Sequence, residues 1–133
     1  MLAVKKYDPE YIDYCRSQIE EDVNAYDSLP EGVKNLAAIE ANYFNNLLLA
    51  LDRYFVHRMR GVETKNANPL NELRILCNGI VHNKGIMFAD KSIKYDLMTS
   101  LSKFKYDDEI RMTRESFVTL SSAFFKELEH RFL

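Results

Sequence analysis

Residues 68–83 read NPLNELRILCNGIVHN, and they join a helix start to a strongly amphipathic pattern. Asn68 can accept from the free amides of a first turn, and Pro69 is pre-set for the first helical position. Leu70, Leu73, Leu76, Cys77, Ile80 and Val81 fall on one side of a helical wheel. Asn71, Arg74, Asn78 and His82 fall within about 80° of one another on the other side, at 100° per residue. Asn83-Lys84-Gly85 offers the stop. Such a helix must lay its apolar side on other elements, so the rest of the chain is expected to supply a core.

Working outward, Asp8-Pro9 is a second cap-plus-proline start. Ile12, Cys15, Ile19, Val23 and Tyr26 then recur at steps of three and four, which predicts a helix to about Tyr26. Ser28-Leu29-Pro30-Glu31 has the spacing of a capping box and is expected to open one long helix over residues 28–60. Its stripe runs through Val33, Leu36, Ala37, Glu40, Phe44, Leu47, Leu51, Tyr54 and Arg58 until Gly61. Residues 61–69 are polar and rich in breakers, hence a loop. Beyond Gly85 the period shifts toward two at Ile93/Tyr95/Leu97, Phe104/Tyr106 and Ile110/Met112, with Asp107-Asp108-Glu109 as a turn. A last helix from about Thr113 is expected to bury Phe117, Leu120, Ser121, Phe124, Leu128 and Phe132. The expected fold is mainly α: residues 1–133 form a single domain, an antiparallel bundle of about four helices with a small antiparallel β-hairpin or meander inserted before the last.

Composition excludes several function classes. Apolar residues make up 47% and charged residues 29% of 133 residues, a globular balance rather than that of a disordered or rod-like chain. The net charge of −2 leaves nucleic-acid binding to a local patch. Residues 1–30 hold seven acidic and three basic side chains, whereas residues 31–85 hold seven basic and five acidic, so a phosphate-facing site is expected in that middle part. The apolar run at residues 47–51 is far shorter than the roughly 20 residues of a membrane helix, and no membrane contact is expected. Residues 1–8 show no secretory pattern, which points to the cytoplasm. Cys15 and Cys77 both fall on apolar faces and are expected to be buried thiols. No CxxC or HExxH spacing suggests a metal, and no cofactor motif stands out.

The unusual element is the polar stripe of residues 68–83. An imidazole can move a proton near neutral pH, a guanidinium can hold a phosphate through two parallel bonds, and an amide can orient either. Arg74 and His82 are eight residues apart, about 12 Å along a helix axis. Gly79 leaves backbone uncovered beside Asn78, where another chain segment or a ligand can come close. The run Asn78-Gly79-Ile80-Val81-His82-Asn83 after Glu72-Leu73-Arg74 resembles the signature region of the HEPN superfamily, all-helical domains frequent in prokaryotic conflict systems. There an Arg followed by a polar residue stands four to six positions before a His. Here Asn78 and His82 match, Cys77 stands before Asn78, and Arg74 lies one turn earlier on the same stripe as His82. The resemblance covers residues 28–85 and the last helix. It implies metal-independent RNA cleavage at a cleft shared by two copies in a homodimer, with His82 and Arg74 as catalytic residues and Asn78 as a substrate-binding one; Asn71, on the same stripe, is expected to bind substrate beside them. A defence or toxin–antitoxin setting, with an antitoxin or other protein partner, follows from the same likeness.

A second cluster, Arg53, His57 and Arg60, shares one helical face near Arg58 and Lys65. It can attract a nucleic-acid backbone, or it can simply complement a helix C-terminus. Eight Tyr and eight Phe without Trp can suggest base stacking, but most of them stand at core spacing and are assigned to packing. Lys103-Phe104-Lys105-Tyr106 reads equally as a basic-aromatic strand or as a lysine-protected edge. Two classes of function therefore stand side by side: an RNA-interacting protein with ribonuclease chemistry, and a non-catalytic dimerising module that binds a protein partner.

Overall fold

Asn68 and Pro69 start a helix where their chemistry places it. In the computed structural model, which describes residues 3–133, the Asn68 side chain accepts from the Asn71 amide at 3.0 Å and the Asn71 side chain accepts from the Asn68 amide at 3.2 Å, a reciprocal cap. Six helices occur among the described residues: α1 (Pro9–Asp27), α2 (Glu31–Lys34), α3 (Ala37–Tyr54), α4 (Arg60–Glu63), α5 (Pro69–His82) and α6 (Arg114–Phe132). The helix α5 lays its apolar side on α3 and α6, and α1 packs against the same two. Every apolar position expected to face inward on α1 and α6 is buried, as is Ser121. Five phenylalanines, Phe44, Phe55, Phe117, Phe124 and Phe132, are fully buried, and one apolar cluster extends from Ile12 to Phe132. None of these helices is long and apolar enough to cross a membrane.

The long helix expected over residues 28–60 is instead two helices and a turn. Ser28 does not cap a new helix: it closes α1, with its hydroxyl donating back to the Asn24 carbonyl at 3.0 Å. The Tyr26 hydroxyl donates to the Lys34 carbonyl at 3.0 Å, taking an acceptor that a continuous helix would use four residues on. Leu36 is extended there and starts α3. At the other end α3 stops at Tyr54, because Arg58 turns into the interior, where it is 3% exposed.

The β-hairpin expected in residues 86–112 is not formed. The segment is an irregular strap with one antiparallel bridge, Ile86 to Glu109. Its central amides go to a carboxylate rather than to a partner strand: Glu72, buried on α5, accepts from the Leu101 amide at 3.0 Å and the Ser102 amide at 2.8 Å. Lys103 and Asp107 take positive φ of 62° and 74°, which breaks an extended run. The alternating apolar residues are used in part: Ile93, Ile110 and Met112 are buried, Tyr95 and Phe104 are partly buried, and Leu97 and Tyr106 are exposed.

The strap explains Gly79. A Cβ there would meet the Ile86 carbonyl oxygen and the Ile110 side chain, both at 2.8 Å. Gly79→Ala is expected to destabilise the fold by about 1–3 kcal/mol, although alanine favours a helix by up to about 1 kcal/mol. Urea unfolding checks this, and a raised midpoint would contradict the close crossing.

Candidate functional site

The polar stripe of α5 is largely turned to internal partners. Asn71 is fully buried rather than on an exposed stripe. Besides its cap, its side-chain amide donates to Glu63 Oε2 and to the Thr64 carbonyl, both at 2.9 Å. Arg74 grips the same carboxylate twice, Nε to Oε2 at 3.1 Å and Nη2 to Oε1 at 2.7 Å. Arg58 completes the arrangement, donating from Nε to Glu63 Oε1 at 2.7 Å and from Nη1 to Asp52 Oδ1 at 3.0 Å. Burial alone would raise the Glu63 carboxyl. The Arg74 hydrogen bonds and the charges of Arg58 and Arg74 outweigh it and hold the carboxyl below its ordinary value. Asn78 donates to Asp90 Oδ2 on the strap at 3.0 Å.

The sequence does not mark Glu63, because it stands in the breaker-rich stretch 61–69 where no periodicity distinguishes it. A signal did exist in Arg58, a charge at the end of the apolar run Phe44, Leu47, Leu51 and Tyr54. A buried arginine needs a carboxylate.

What remains open to a ligand lies between α3 and α5. A groove of about 490 Å³ is lined by the buried Cys77 and the exposed Val81 together with Asp52, Arg53, Arg74, Asn78 and His82. Arg53 and His82 are exposed and make no ion pair among the described residues. Cys77 is buried with its thiol against the Leu48 carbonyl at 3.5 Å, and burial pushes that thiol well up, so it is not a nucleophile. Arg53 also lines a second, larger cavity of about 770 Å³ with Lys6, Tyr7, Tyr11, Tyr54 and His57. The N-terminal segment is pinned beside it by two backbone bonds, Val4 N to the His57 carbonyl at 2.7 Å and Met59 N to the Val4 carbonyl at 2.8 Å. Burial pushes the Tyr7 and Tyr11 hydroxyls up to about 12.

The two clusters that the sequence places on separate stretches therefore meet at Arg53. Arg74, Asn78 and His82 stand on the groove side, and His57 stands on the cavity side. Arg60 is not part of either: its guanidinium donates to the Ser92 carbonyl. Among the described residues no group of three His, Cys, Asp or Glu side chains is placed to hold a metal ion. No family of known proteins, no curated protein and no solved structure matches this chain.

Proposed function

We propose that this chain is a HEPN-like RNA-interacting protein that seats a phosphodiester in the groove between α3 and α5. One observation carries the reading: Arg53, exposed and without an ion-pair partner among the described residues, stands where the His82 groove and the His57 cavity adjoin. An unpaired guanidinium is well suited to a phosphate, and an exposed imidazole beside it supplies proton transfer. Arg74 has a lesser part than the resemblance gives it, since two of its nitrogens are held by Glu63.

In this reading His82 takes the proton of a 2′-hydroxyl while its oxygen attacks phosphorus. The bond from phosphorus to the 5′-oxygen breaks, and a second imidazole, from the other copy in a homodimer, returns a proton to that leaving oxygen. The products are a 2′,3′-cyclic phosphate and a free 5′-hydroxyl, with no metal required. The expected result is RNA cleavage in EDTA that leaves cyclic phosphate ends. A stable monomer by light scattering would remove the shared cleft.

One observation favours a second reading, a non-catalytic dimerising module. Arg74 and Asn78 are bonded internally, and Val56 and Val81 remain 47% and 58% exposed along the groove. Absence of RNA cleavage and of RNA binding, together with a dimer, would select it.

A further inference from the structure

The larger cavity carries more than a phosphate contact. We infer that it is a subsite for one unpaired base of single-stranded RNA, stacked on Tyr11 next to a phosphate held by Arg53. This rests on the RNA-interacting reading above and names the kind of RNA.

Tyr11 is 39% exposed and the position of its ring is fixed. It stacks on Tyr7 with centroids 5.9 Å apart and planes at 17°, and it meets Phe55 edge-on at 5.7 Å. Its hydroxyl donates to the Tyr54 carbonyl at 2.6 Å. A platform already held in place loses little rotamer freedom when a base covers it. The cavity volume of about 770 Å³ lies in the usual range of small-ligand sites. Its charge suits an anionic chain: Lys6 and Arg53 stand against one carboxylate, Asp8, among the lining residues. His57, exposed at the same rim, offers a donor or acceptor to a base edge.

Stacking requires a base whose face is free. In a duplex both faces are covered by neighbouring pairs, whereas a loop or single strand can splay one base onto an aromatic ring. Because Arg53 lies on both cavities, a base on Tyr11 places the adjoining phosphate at the entrance to the His82 groove. The tyrosine cavity thus selects unpaired nucleotides for that groove.

The test is an abasic scan. A short single-stranded RNA is compared with versions lacking one base each, bound to the native protein at fixed salt. One position is expected to lose affinity by roughly 5- to 100-fold, as stacking contacts do, and the blunt duplex of the same sequence is expected to bind weakly. Tyr11→Leu should bind the intact RNA as poorly as the native protein binds the sensitive abasic version, and Tyr11→Phe should restore tight binding. A flat scan, or a duplex bound as tightly as the single strand, overturns the subsite while leaving RNA binding in place. If the native protein binds none of these RNAs, the RNA-interacting reading falls and the subsite falls with it.

Discussion

Replacing Glu63 by Gln is expected to lower folding stability by about 3–5 kcal/mol, as does removing one partner of a buried ion pair. Glu63 and Arg58 are fully buried and Arg74 is only partly exposed. Loss of the carboxylate charge leaves two guanidinium groups facing a neutral amide in the interior. Since small domains are stable by about 5–15 kcal/mol in total, the loss is a large fraction, and the urea midpoint reports it. Removing all three charges with Arg58→Met, Glu63→Leu and Arg74→Leu should cost less than the single change, because neither guanidinium is then left without its carboxylate. The same carboxylate sets an acid limit. Its folded value lies below the ordinary 4.5, so its contribution is fully present above that pH and is lost as pH falls through the lower folded value. Glu63→Gln should lose this part of the pH dependence. A change below about 1 kcal/mol would contradict the buried arrangement.

The second large effect concerns chemistry. His82→Ala is expected to reduce metal-free RNA cleavage by roughly 10²- to 10⁴-fold, the usual contribution of a positioned acid or base. His82 is exposed in the last turn of α5 and makes no side-chain hydrogen bond among the described residues, so its removal should leave the unfolding midpoint unchanged. RNA affinity should change by less than about threefold, because the charge that holds the phosphate is assigned to Arg53. Cleavage that survives the substitution would remove His82 from the reaction.

Much of the framework was legible because it rests on local rules. Asn68 and Thr113 start helices with reciprocal caps, α1 starts at Pro9 without a cap bond from the Asp8 side chain, and the periodic apolar positions of α1 and α6 are buried, with Phe125 in addition. Long-range polar contacts were not legible. Glu72 takes the amides of Leu101 and Ser102 from 29 and 30 residues away, which turns an alternating pattern into a strap. Glu63 draws Arg58, Asn71 and Arg74 together and so ends α3 early and turns part of an apparent surface stripe inward. The same holds for the candidate site. His82 and Arg53 are open as their helical faces suggest, but that they border one groove depends on how α3 meets α5. Core spacing does not separate Tyr11 from the packed aromatic residues. Tyr11 stands one position before Ile12, off the buried stripe of α1, and that offset was the available sign of its exposure.

The proposed function requires that Arg53 hold an RNA phosphate where the two cavities adjoin. The most direct measurement is the affinity of the native protein and of Arg53→Ala for one single-stranded RNA over a range of salt concentrations. The substitution is expected to weaken binding at every salt and to reduce the slope of log affinity against log salt by about 0.7, the loss of one phosphate contact on a single strand. Equal affinities with equal slopes for the two proteins would contradict it.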